Sequence, residues 1–265
     1  MFRVELGKSF RRWRTWVLAV VLGAVPALIV VALVLNPPPP GAGGDFINLA
    51  TRNGLFAPLA ALAVVQPFLL PLTAGLLSGD AIAGEASAGT LRYLLVRPVR
   101  RSAVVLGKYA AIVALLCAAV GVIVAVGLLA GSLTFGLGEV PTLSGSTLSL
   151  GEGFVRLLGA GLYAVAGVAG LAAVGLFIST LTESGPGATV ATVAVAIIGQ
   201  ILGALASLDF LHPYLLNTYW LAFFELFRSP VSFDLMGQGL TVFAAYVAVF
   251  LGLALTVMSR RDVLS

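Results

Sequence analysis

The chain has 265 residues, 60% of them hydrophobic and only 10% charged, with a mean hydropathy of +1.08. Soluble domains carry about 25% charged residues, so these values exclude a large-cored soluble globule and read as an all-α integral membrane protein. The formal charge of +4 does not point to nucleic acid, because the bases flank apolar runs in the manner of lipid topology.

In chain order, residues 1–15 form the first element. Phe2, Leu6, Phe10 and Trp13 share one helical face, while Arg3, Lys8, Arg11, Arg12 and Arg14 project mostly elsewhere. That is the profile of an amphipathic helix lying in the membrane interface. The apolar run over about residues 16–35 is long enough to span and shows no small-x-small cleavage site at its end, so it reads as a retained first span rather than a signal peptide. The stretch NPPPPGAGG from Asn36 to Gly44 favours polyproline and opens a loop. A second span is expected over about 55–77, kinked by Pro58, Pro67 and Pro71. Gln66 beside Pro67 reads as a helix-packing hydrogen bond, with a pathway contact as the other reading.

Residues 78–108, SGDAIAGEASAGTLRYLLVRPVRRSAVVLGK, interrupt the apolar pattern. A third span follows over about 109–133, with Cys117 inside it as a small buried hydrophobe. A Gly/Ser/Thr-rich loop comes next. The fourth span, about 157–181, is dense in glycine, which predicts tight helix packing. A short turn from Thr182 to Gly187 leads to the fifth span, about 188–207, with Gln200 as its one strongly polar interior residue. Residues 208–236 are broken by Pro213 and Pro230 yet rich in aromatics, so they read as short interfacial or re-entrant helices. His212, the chain's one histidine, lacks ligand neighbours at metal spacing and reads as a headgroup-level residue. The sixth span covers about 237–258. The whole, residues 1–265, reads as one six-span domain.

Six spans place both termini on one side. That side collects twelve basic residues against three on the other, a bias that assigns the termini and the 78–108 insert to the cytoplasm of a cell-membrane protein. No Gly-x4-Gly-Lys-Ser/Thr phosphate loop, His-Glu-x-x-His or Gly-x-Ser-x-Gly occurs, which leaves no catalytic residue set, no metal site and no nucleotide-binding motif in the chain. The acids fall in loops or near span ends, which disfavours an ion-driven carrier. An energy source is therefore expected on a partner.

Within the insert, acids precede bases, complementing a helix dipole. Leu91, Leu94 and Leu95 form an apolar face that Thr90 can cap. Arg97-Pro98 ends it, and Ser102 can cap the third span while Lys108 snorkels to the headgroups. Gly84 and Gly89 permit a turn on either side of Glu85. A docking helix and an ordinary positive-inside loop both fit these residues.

The ordered set Asp80, Gly84-Glu85, Gly89-Thr90-Leu91-Arg92, Leu94-Leu95, Arg97-Pro98, Arg101 and Gly107-Lys108 resembles the signature of ABC-2 type permeases. These are membrane subunits of ATP-binding-cassette transporters, including bacitracin- and lantibiotic-resistance permeases and the nitrous-oxide-reductase maturation permease. The resemblance implies that the insert holds a coupling helix that docks on a separate ATPase. It also implies two permease copies, as a homodimer, pairing with two ATPases that bind ATP and Mg. Glu85 and Thr90 to Arg92 would lie in or beside the contact, Arg97 to Arg101 at its exit, and Thr182–Gly187 would form a smaller second contact. The run Ala86-Ser87-Ala88 departs from the more charged pattern expected there. The expected function is an ATP-driven exporter of an amphiphilic, lipid-like or peptide substrate, with Gln66 and Gln200 as polar residues on the pathway. Two alternatives are a mechanical or maturation subunit that conducts nothing, and a standalone ion-coupled or lipid-interacting carrier.

Overall fold

The structure is a computed structural model, and it describes residues 5–7, 13–37, 45–87, 89 and 100–260. Eight α-helices lie among these residues: α1 (Trp13–Leu35), α2 (Asp45–Arg52), α3 (Phe56–Val65), α4 (Leu69–Ser87), α5 (Arg101–Phe135), α6 (Leu150–Leu181), α7 (Gly185–Ala204) and α8 (Asp234–Arg260). Five of them, α1, α5, α6, α7 and α8, are long and apolar enough to cross a bilayer, and the bent pair α3 and α4 makes a sixth candidate span. The protein is an all-α, multi-pass membrane protein.

Lipid offers no partners to backbone groups, so each helix must satisfy its own ends and breaks. At the start of α6, Ser149 accepts from the Glu152 amide at 3.3 Å while the Glu152 carboxylate accepts from the Ser149 amide at 3.1 Å, a reciprocal capping box. At the start of α7, Ser184 accepts from the Gly187 amide and Pro186 occupies the first turn, where its missing N–H costs nothing. Helix α5 begins at Arg101 with Arg100 at its cap position and no side-chain cap, so Ser102 lies inside the first turn rather than capping it.

The second apolar run is expected as one kinked helix, and it forms two helices bent by 61° at residues 66–68. The cause is double. Pro67 and Pro71 lack N–H groups, so the Ala63 and Pro67 carbonyls lose their i+4 donors. Gln200 of α7 supplies Nε2–H to the Pro67 carbonyl. Gln66, expected to make a packing hydrogen bond, is fully buried with neither side-chain polar atom bonded among the described residues. The hydrogen bond that supports the break comes from the facing helix instead.

Helix α6 is the axis of the bundle, packed against α4, α5, α7 and α8, and most of its residues are buried. Its glycines explain this. Gly167 meets the Trp220 ring and Gly170 meets Leu216 and the backbone of Phe243, the close approach by which helices associate in lipid. Helix α1 lies further out, on α5 and α3. Cys117 on α5 is exposed on the outer face of the bundle, not buried, because the packed face of α5 is carried by Leu116, Val120 and Ile123.

The segment between α7 and α8 forms three 3-10 turns, 206–214, 216–219 and 222–227. Its aromatics divide. Phe210 and Tyr214 are exposed, as interfacial residues would be, but Tyr219, Trp220, Phe223 and Phe227 are buried in the core. The interfacial alternative does not hold for those four: glycines make room for two of them, with Gly167 facing Trp220 and Gly239 facing Tyr163 and Tyr219, and Phe227 packs on Phe56 with ring centroids 5.5 Å apart. His212 lies between Asp209, 3.4 Å from Nδ1, and the Leu202 carbonyl, 3.3 Å from Nε2.

The loop after α5 adds a two-residue hairpin, β1 (Val140–Pro141) and β2 (Thr147–Leu148), paired antiparallel with Val140 opposite Leu148. Buried Asn53 donates to the Gly138 and Glu139 carbonyls, and Arg156 donates to the Leu226 and Arg228 carbonyls at 2.7 and 3.0 Å. These bonds knit the loops at this end of the bundle into one cap.

Candidate functional site: the foot of helices α4 and α5

At the opposite end, α4 and α5 flank the segment that contains the expected docking helix. Thr90, Leu91, Arg92, Leu94, Leu95, Arg97 and Pro98 lie outside the described residues. The residues on either side are described, and they are held tightly.

Helix α4 runs on through the first third of the 78–108 insert. Ser78, Gly79, Ile82 and Ala83 are buried, so this part of the insert is packed helix and not a water-facing loop. Gly84 and Glu85 are helical rather than a turn, and among the described residues the chain next leaves helix at Gly89, whose φ of +66° suits glycine. Two contacts explain the extension. The Ser179 hydroxyl of α6 donates to the Gly79 carbonyl at 2.7 Å and accepts from the Ile82 and Ala83 amides at 3.0 and 2.9 Å. Across α7, a Cβ on Gly79 would stand 2.5 Å from the Thr189 amide nitrogen, so only glycine lets the two backbones meet.

Asp80 and Glu85 project from this stretch. The Asp80 carboxylate lies against Gly84 and against Gly185, the first residue of α7, where the positive end of the helix dipole favours an anion. Glu85 stands 2.8 Å from Lys108 Nζ, and Glu5 stands 3.3 Å from the same nitrogen. Lys108 is 4% exposed. It does not snorkel to the headgroups, because two carboxylates inside the bundle give its ammonium a better-paired environment than the surface would. Arg101, one residue into the described part of α5, donates Nη1–H to the Met258 and Ser259 carbonyls at 3.2 and 3.0 Å, capping the end of α8.

A groove of about 440 Å³ opens beside this cluster. Helix α1 packs on α5 and α7 packs on α4, and the space between them is the groove. Val17 and Leu18, Leu76 and Leu77, Ile112 and Leu115, and Val190 give it apolar walls. Glu5, Arg14, Asp80, Glu85 and Lys108 crowd one end. Gln66 and Gln200, singled out as pathway residues, do not line it. Among the described residues no three His, Cys, Asp or Glu stand together to hold a metal.

Sequence reasoning singled out Glu85, Arg101 and Lys108, and the structure brings them to one end of the bundle. It missed Glu5 and Ser179. Glu5 was legible only as an acid in an otherwise basic segment, and Ser179 only as a hydroxyl in a glycine-rich span.

Residues 47–264 match the family model described as "Protein of unknown function (DUF2705)", which covers well over half of the chain. The chain belongs to this DUF2705 family. DUF2705 is thus the family of the bundle just described. A shorter likeness adds chemistry. The chain is 49% identical over 53 residues to the "Probable ABC transporter permease protein NosY" of Stutzerimonas stutzeri and 47% identical over 53 residues to the protein of the same name from Pseudomonas aeruginosa. Each match spans 20% of this chain and 19% of the relative, so the chain aligns with about a fifth of either curated relative's length.

Proposed function

We propose that this DUF2705 chain is the membrane subunit of an ATP-binding-cassette transporter of the ABC-2 type, working as a dimer with two copies of a separate ATPase. The observation that carries the reading is the 47–49% identity to the NosY permeases over 53 residues. The packed foot of α4 and α5 supports it. An element that receives force from a partner must sit on rigid neighbours to pass that force on. The 88–99 segment leaves α4 just after the Ser179 and Lys108 contacts and enters α5 at Arg101. On this reading the docking contact lies within residues 90–96, and the positive-inside bias favours the cytoplasm for it and for both termini.

The cargo is an amphiphile, and its route is export. The groove supports this choice: apolar walls at lipid depth end in a cluster of charges, the shape and polarity of a chain with a polar head. Chemistry stays on the partner, which supplies ATP hydrolysis, and this chain supplies the path.

The test is co-expression of the chain with candidate ATP-binding-cassette ATPases, starting with any encoded next to it, followed by purification through a tag on the chain. The ATPase is expected to co-purify. Leu91→Asp with Leu94→Asp, which places charge on the docking face, is expected to release it. Failure of the ATPase to bind the unaltered chain would sink the reading. Reconstitution with a labelled amphiphile then separates a conduit, which moves the label on ATP addition, from a mechanical subunit, which does not.

A further inference from the structure

We infer that Lys108 is a positioning residue: a buried strut that fastens the N-terminal segment to the feet of α4 and α5, so that these feet cannot shift without carrying the N-terminal segment along. This rests on the reading above that 88–99 meets an ATPase.

Three separate pieces of chain meet at one ammonium. Glu85 is in the last turn of α4, Lys108 is two turns into α5, and Glu5 comes from the N-terminal segment. The two helices that bracket 88–99 are therefore joined directly, at 2.8 Å, and the start of the chain is joined to both. Seven residues before Lys108, on the same side of α5 at helical spacing, Arg101 holds the last carbonyls of α8. One end of α5 thus grips both ends of the chain.

A buried ion pair is weak evidence for stability, since desolvation cancels much of its attraction. What such a network does supply is register, because only one arrangement of the three segments satisfies all the charges. Removing the cation alone takes the Lys108 partner from both Glu5 and Glu85 at once, and breaking a buried pair from one side is unfavourable. Glu85 also changes its assignment. It points inward to Lys108 with 12% of its side chain exposed, so the contribution to coupling inferred for it runs through Lys108.

The experiment uses the full chain in nanodiscs, alone and with the co-expressed ATPase, and reads amide hydrogen exchange by mass spectrometry. In the chain alone, Lys108→Ala is expected to speed exchange in residues 5–20 and 80–87 by about tenfold, with residues 150–181 unchanged. Lys108→Arg and the charge swap E85K/K108E, which moves the cation to α4, are expected to restore the original protection. Unchanged exchange in Lys108→Ala overturns the strut. If Lys108→Ala does not accumulate, Lys108→Glu is compared with the swap: rescue by the swap supports the strut, and equal loss overturns it. In the complex, nucleotide is expected to alter exchange in residues 5–20 for the unaltered chain and the swap, while Lys108→Ala keeps the ATPase bound but loses that response. A response that survives in Lys108→Ala overturns the coupling. An ATPase that never binds the unaltered chain overturns the transporter reading, while exchange in the chain alone still decides the strut.

Discussion

Ser179 reaches into the backbone of a helix it does not belong to: its hydroxyl donates to the Gly79 carbonyl at 2.7 Å and accepts from the Ala83 amide at 2.9 Å. In a regular helix the Ala83 amide would bond the Gly79 carbonyl directly. The hydroxyl bonds both groups that such a bond would join, which fastens α4 to α6 one turn before Glu85.

Ser179→Ala leaves the Ile82 and Ala83 amides and the Gly79 carbonyl to re-pair among themselves or stay unsatisfied. Buried unsatisfied groups cost about 1–3 kcal/mol, and membrane hydrogen bonds average less, about 0.6 kcal/mol. A loss of roughly 1 kcal/mol is expected, read as a lowered Tm in detergent. Ser179→Thr keeps the hydroxyl and is expected to lose less. A Tm for Ser179→Ala equal to that of the unaltered chain would show that α4 closes its own ladder without help.

The same interface is set by volume. A Cβ on Gly175 would collide with the Ser78 hydroxyl and stand 2.8 Å from the Thr192 hydroxyl, so Gly175→Val must push α6 away from both α4 and α7. Overpacking costs about 1–3 kcal/mol in ordinary cores, and here three helices share the strain. Loss of the monodisperse peak in size-exclusion chromatography is expected. Gly121→Val on α5, where a Cβ meets nothing within 4 Å, serves as the control and should elute as the unaltered chain does.

How much of this was legible beforehand depends on what each residue answers to. The apolar runs were legible because a bilayer demands about 20 consecutive apolar residues of each span, and no tertiary contact relaxes that demand. The foot of α4 was not. Asp80 and Glu85 look like water-facing residues in sequence, and they are held in the bundle by Gly185 and by Lys108, partners 105 and 23 positions away. Trp220 and Phe223 likewise carry an interfacial composition, and their burial is decided by the facing surface of α6. Local pattern registers the polarity of a residue, whereas its partner is fixed only when the helices pack.

The break between α3 and α4 offers a double-mutant cycle. Gln200 donates to a carbonyl that Pro71 has deprived of its donor. Gln200→Leu is expected to destabilise the protein by about 1 kcal/mol. In a Pro71→Ala background the residue-71 amide can bond the Pro67 carbonyl, so Gln200→Leu should cost much less there. Equal costs in the two backgrounds would mean that Gln200 contributes only its bulk. The readout is Tm for all four chains, with the coupling taken from their difference.

The proposed cytoplasmic side of residues 88–99 rests on basic residues and can be read directly. Ser87 at the end of α4 and Gly138 in the loop before the hairpin are exposed, at opposite ends of the bundle. In a Cys117→Ala background, Ser87→Cys and Gly138→Cys each present one thiol to water. A membrane-impermeant maleimide added to intact cells is expected to label Gly138→Cys at once and Ser87→Cys only after permeabilisation. Twelve bases on the Ser87 side against three on the other set this direction, since translocating each added Lys or Arg is disfavoured. The reverse pattern would place residues 88–99 outside the cell, beyond the reach of any ATP-hydrolysing partner, and the transporter reading would fall with it.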